Sequence, residues 1–92
     1  MPEVQGRLKL KYDTQIVSEK FQKRDIVVTI DETTPYHQDI LFQLNQKKCE
    51  IINDIIVGEV VKVSYNLKGR EWNGPQGIKY FNTIEAWQVC KV

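Results

Sequence analysis

Hydrophobic residues along this chain of 92 residues alternate with a period of two almost throughout, and the alternation breaks only once for long enough to hold a helix. The break runs from Gln46 to Val57. There Cys49, Ile52 and Ile56, with Ile51 and Ile55 beside them, recur at the spacing of one helical face. Asn45 stands where an N-cap would, and Gly58 stands where such a helix would end. The isoleucines pull the other way, since β-branched side chains suit a strand as well as a helix. Everything else reads as strand and turn.

Val4–Tyr12 puts Val4, Leu8, Leu10 and Tyr12 on one face and Gln5, Arg7, Lys9 and Lys11 on the other. Gly6 inside it predicts a bend where the strand turns between two sheets. Asp13–Val17 either extends this strand or frays, and Ser18–Arg24 reads as a polar loop. A second strand, Asp25–Ile30, turns Ile26, Val28 and Ile30 inward. Pro35 then marks a turn, and a third strand, His37–Asn45, carries Ile40, Phe42 and Leu44 on one face. After the helical break come a fourth strand, Val60–Leu67, and a turn-rich segment, Lys68–Gly77. A fifth strand, Lys79–Val92, holds Tyr80, Phe81, Ile84, Trp87 and Val89. Three strands, a short helix and two strands make an all-β chain with the connectivity of the OB-fold, a five-stranded Greek-key barrel with its helix between strands three and four. The length suits one such domain over residues 1–92.

Charge is nearly balanced, with a formal net of +1, but unevenly placed. Residues 7–24 carry six bases against two acids, residues 25–39 four acids and no base, and residues 62–79 four bases against one acid. In an OB-fold the loops joining strands one to two and four to five flank one face, and those loops are the two basic segments. Folded together they would form a stripe able to follow a phosphate backbone. Strands also carry charge on their wet faces for solubility alone.

Other classes fall away. No run of about 18 apolar residues is present to span a membrane. The opening MPEVQGRLKLKY lacks the apolar core of a signal peptide, so a cytosolic protein with Cys49 and Cys90 as free thiols is expected. The one histidine, His37, has no ligand cluster around it, and Cys49 reads as helix packing. No phosphate-binding glycine loop, metal-spaced ligand set or carboxylate pair is present. A binding module is expected, with no catalysis, no metal and no cofactor.

Its equipment is concentrated in the segment between the last two strands. Trp72 in polar surroundings offers a plane on which a base can stack, and Arg70 two residues before it offers a phosphate contact or a second plane. Lys62, Lys68 and Lys79 are candidates for neutralising the backbone. Phe21, flanked by Lys20, Lys23 and Arg24, repeats the combination in the first loop. Trp87 reads as core or interface.

Val63-Ser64-Tyr65-Asn66-Leu67, then Arg70, Trp72, Gly77 and Tyr80, resembles the last hairpin of bacterial single-stranded DNA-binding proteins. Lys79-Tyr80 stands where that family has Arg-Tyr, one residue closer to the glycine. Val57-Gly58-Glu59-Val60-Val61-Lys62-Val63, Arg70-Glu71-Trp72-Asn73-Gly74 and Ala86-Trp87-Gln88-Val89 are similar, more closely, to a small uncharacterised bacterial OB-fold family related to those proteins. The resemblance implies single-stranded DNA as partner in preference to RNA, and Tyr80 rather than Phe81 as the second stacking platform. The acidic, Phe-ending tail of the DNA-binding proteins has no counterpart here, so recruitment through it is not implied. A monomer with few basic contacts would bind weakly, and a homo-oligomer would bind more tightly through multivalency. The same barrel also fits a protein-assembly module or an oligosaccharide site.

Overall fold

A computed structural model describes residues 2–92 as six strands and one short 3-10 helix. In chain order these are β1 (Glu3–Lys11), β2 (Gln15–Ser18), β3 (Phe21–Ile30), β4 (Gln38–Asn45), the 3-10 helix (Gln46–Glu50), β5 (Val60–Gly74) and β6 (Gly77–Lys91). They form one sheet in the order β1-β5-β6-β4-β3-β2, closed into a barrel because β1 also pairs with β3. The contact between β4 and β6 is a single parallel pair, Gln43 with Glu85, and the other pairings are antiparallel. This is the expected OB-fold with one more strand.

The extra strand, β2, falls mostly in the stretch expected to extend the first strand or fray, and β3 begins at Phe21 inside the expected polar loop. Gln15–Ser18 and the first residues of β3 pair with one another around a turn at Glu19-Lys20. The expected helix also contracts, to a five-residue 3-10 helix followed by turns through Asp54. Asn45 forms no side-chain cap on it; its amide instead donates to Glu85 on β6. Cys49, Ile52 and Ile55 are still buried and plug one end of the barrel, while Ile56 is exposed. Isoleucines that would cost a regular helix rotamer freedom cost an irregular plug little.

Closure depends on β1 changing partners midway. Glu3–Arg7 pairs with β5 and Arg7–Lys11 with β3, so the strand bends sharply at Gly6-Arg7. A β-carbon at Gly6 would collide with the Thr29 carbonyl oxygen and stand 2.8 Å from Val28 Cγ1. Around this corner Leu8, Ile26, Val28, Phe42, Leu44, Val61 and Val63 fill the barrel. A bulge between Leu8 and Leu10 then reverses the expected facing of the rest of β1. Leu10 turns outward, and the Lys11 ammonium donates at 2.8 Å to the carbonyl of Ile55, in the plug beyond the short helix.

Two of the four carboxylates in the acidic stretch Asp25–Asp39 are paired from β1. Arg7 pairs with Glu32 at 2.8 Å and Lys9 with Asp39 at 2.9 Å. The hydrogen bond from Arg7 holds the Glu32 carboxyl below its ordinary range, and bonds from Lys9 and Thr29 do the same for Asp39. Two bases of the first basic segment are therefore engaged within the protein.

Gly6→Val tests the corner. Overpacking against backbone is expected to lower unfolding free energy by about 1–3 kcal/mol. A urea midpoint unchanged from that of the unsubstituted protein would show that β1 does not need glycine there.

Candidate nucleic-acid interface

β5 and β6 are longer than the barrel requires. β1 pairs with β5 only as far as Ser64, and β4 pairs with β6 only at Glu85. Beyond those points the two strands continue as a paired ribbon to Gly74 and Gly77, joined by Pro75-Gln76. Lys68–Gly77 is thus a two-stranded arm rather than the expected loop. Proline presets the first turn position, and Gly77, at φ +113°, takes the left-handed conformation that returns the chain into register.

Residues directly opposite one another in an antiparallel ribbon share a face. Arg70 opposes Phe81, Trp72 opposes Lys79 and Lys68 opposes Thr83, so these six make one face of the arm. Glu71 opposes Tyr80 on the reverse face, with Leu67, Asn73, Ile78 and Asn82. The division is chemical as well as geometric. All three cations of the arm lie on the first face, and its one carboxylate on the second.

Trp72 and Phe81 meet edge to face, with ring centroids 6.5 Å apart and planes at 69°. The indole lies across Gly74, in space that any β-carbon there would occupy. Trp72 stays 47% exposed and Phe81 57%. With Lys68, Gly69, Arg70 and Thr83 the two rings line an open groove of about 520 Å³. Arg70 and Lys79 have no ion pair among the described residues, and Lys68 only a long one, 3.9 Å from Glu85. Such a groove presents ring faces and unengaged cations together, which suits bases and phosphates.

The structure brings Lys68, Arg70, Trp72 and Lys79 together, as the sequence suggests, and leaves the other candidates elsewhere. Tyr80, preferred on resemblance, points from the reverse face and donates to Glu71 Oε1 at 3.1 Å. Neither Tyr80 nor Phe81 turns inward, because the arm has solvent on both sides and both rings are exposed. Lys62 sits at the far end of β5, paired with Glu3 at 2.9 Å. Eight residues separate it from Arg70, or about 26 Å along an extended strand.

Arg24 is a structural bolt. Its guanidinium donates to the Tyr12 carbonyl at 2.6 Å, to Asn53 Oδ1 at 2.7 Å and to the Cys49 carbonyl at 3.2 Å, tying β1 and the plug to β3. Lys20 lies at the β2–β3 turn, where its carbonyl accepts from the Gln46 side chain. Half-buried Phe21 lines a small hollow beside it, and Lys23 faces a second groove between arm and barrel. None of the four is on the arm. Phe81, which the resemblance ranks behind Tyr80, is the ring that shares the groove with Trp72. The spacing Trp72-x-Gly74 carried a usable signal, since strand residues two apart share a face, but it shows only once Asn73-Gly74 is seen as strand.

Among the described residues no cluster of three metal-ligating side chains occurs. No helix among them is long and apolar enough to cross a membrane.

A closed barrel with one short helical plug between its third and fourth barrel strands defines an OB-fold protein, and solved structures agree. The mitochondrial single-stranded DNA-binding protein of S. cerevisiae superposes with a TM-score of 0.66 at 8% identity, covering 99% of this chain and 92% of that one. The N-terminal domain of PriB protein from Thermoanaerobacter tencongensis, solved as a dimer, gives 0.67 at 12% identity over 99% and 93%. The small single-stranded DNA-binding protein of Streptomyces coelicolor gives 0.62 at 15% identity over 99% and 92%. Over residues 3–90 the sequence matches the family described as a domain of unknown function, DUF3127, and the chain belongs to that family. No curated protein matches it in sequence.

Arg24→Ala would leave carbonyls of β1 and the plug without their donor. A loss of about 1.5–3 kcal/mol, the range for hydrogen bonds to a charged group, is expected in urea unfolding. Unchanged stability would return Arg24 to the pool of free surface cations.

Proposed function

We propose that the protein binds single-stranded nucleic acid, DNA in preference to RNA, without catalysing a reaction on it. The observation that carries this reading is the composition of one face of the arm: three cations and two exposed aromatic rings, with no carboxylate among them. Trp72 and Phe81 supply planes for unstacked bases, and Arg70, Lys79 and Lys68 neutralise the phosphates between them. Stacking tolerates any base, so the binding is sequence-tolerant. Structural neighbours whose names describe single-stranded DNA binding support the same ligand. The neighbour solved as a dimer supports assembly into an oligomer, in which several weak arms act together.

A protein-assembly role is the second reading, favoured by two exposed apolar side chains on the reverse face of the arm, Leu67 at its root and Ile78 near its tip. It calls for a salt-insensitive complex with no affinity for oligonucleotides.

Titration with an oligo-dT decides between them. Three phosphate contacts on a single strand give a slope of about −2 in log K against log salt, or roughly a 20-fold loss of affinity from 50 to 200 mM. Trp72→Ala is expected to weaken binding about 5- to 150-fold, the equivalent of about 1–3 kcal/mol of stacking. Affinity indifferent to both salt and Trp72 would overturn the proposal.

A further inference from the structure

The arm does not end in open solvent on its inner side. Where β6 leaves β4, a second groove of about 430 Å³ separates the ribbon from the outer face of β3 and β4. Thr83 lines both grooves, so a strand lying on the arm could continue across the barrel by this route. The charge along it changes sign. The arm groove is lined by Lys68 and Arg70 and by no acid, whereas the second groove has Lys23 against Asp25 and Asp39. Glu85 adds a further carboxylate at the root of the arm, beside Asn45 and Lys68. Asp39 has Lys9 and Thr29 as partners, but the Asp25 carboxylate has neither an ion pair nor a side-chain hydrogen bond among the described residues.

From this we infer that the nucleic-acid site is confined to the arm, and that its ligand is a short unpaired segment rather than a long strand wrapped over the barrel. The inference rests on the reading of the arm as the nucleic-acid site and narrows it. Phosphates following the strand past Thr83 meet carboxylates in a partly enclosed groove, where like-charge repulsion is screened less than in open solvent. Asp25 thus acts as a negative determinant that ends the site. The favourable row is short: Lys68 to Trp72 spans four residues, about 13 Å at the rise of a strand. Two rings accommodate two bases, with cations for the phosphates around them. A footprint of about 4 nucleotides per protomer follows, at the low end of the range of about 4–16 found for OB-folds.

Tryptophan-fluorescence titration of the full chain with poly-dT at low salt, under stoichiometric conditions, reads the footprint directly. Unsubstituted protein is expected to saturate at about 4 nucleotides per protomer. Asp25→Lys is expected to open the route across the barrel, lengthening the footprint to about 8 nucleotides and steepening the salt slope by about 0.7 for one added phosphate contact. Asp25→Asn, a smaller change of shape, is expected to shift both in the same direction. A footprint of about 10 nucleotides or more for unsubstituted protein would overturn the inference. So would tighter binding by Asp25→Lys at unchanged footprint, since the strand would then already cross the barrel. Failure of unsubstituted protein to bind poly-dT at all overturns the arm site itself, and this inference with it. A long footprint whose affinity still depends on Trp72 overturns the short site alone.

Discussion

Which side chains meet on the arm is decided by one extra residue in β6. Ser64 pairs with Gln88, but the next residue of β5, Tyr65, pairs with Ala86, leaving Trp87 bulged out of the ladder. From there to the tip every pairing is displaced by one. In a regular ladder Trp72 would oppose Tyr80, and Arg70 would oppose Asn82; with the bulge they oppose Lys79 and Phe81. A one-residue slip moves a whole set of side chains to the other face of a ribbon. The tip enforces the same register, because the two-residue turn at Pro75-Gln76 requires Gly74 to oppose Gly77. The bulge absorbs the mismatch between a barrel built in one register and a turn built for another. Its product is the meeting of Trp72 with Phe81 on a face that holds every cation of the arm.

The barrel contributes mainly by what it withholds. Five of its bases are engaged: Arg7 and Lys9 on carboxylates of the acidic segment, Lys11 on the plug, Arg24 on β1 and the plug, Lys62 on Glu3. The formal charge map of the chain therefore overstates the positive surface of its first half. Exposed ion pairs of this kind add little stability, but they remove charge from any stripe a polyanion could follow. What remains unengaged on the arm is Arg70 and Lys79, with Lys68 only loosely held.

Alternation of apolar residues made the barrel legible in the sequence. Val61 and Val63, Ile26 and Val28, and Phe42 and Leu44 are all buried where a period of two places them. The placing of the helical segment between the third and fourth runs was enough to define the connectivity. Three features were not legible for a common reason: each depends on pairing rather than on local composition. Asn73-Gly74-Pro75 has the composition of a loop, yet Asn73 and Gly74 are paired strand residues. Gln15–Ser18, too short for its two apolar residues to show a period, becomes a separate strand by pairing with β3. The bulges after Leu8 and at Trp87 leave no mark in the hydrophobic pattern, and they set the facing of Lys11 and of Phe81. Sequence pointed to the segment that carries the groove, and the resemblance favoured Tyr80, whereas Phe81 is the ring that lines the groove with Trp72.

The central claim is that the ligand lies on the Trp72–Phe81 face, and comparing Phe81→Ala with Tyr80→Ala in oligo-dT binding tests it most directly. The two positions are adjacent, equally remote from the barrel core and on opposite faces of one ribbon. Phe81→Ala is expected to weaken binding by about 5-fold or more, the loss of one stacking platform, while Tyr80→Ala leaves the affinity within about twofold. The opposite ranking, with Tyr80 essential and Phe81 dispensable, would put the ligand on the Glu71 face and contradict the account.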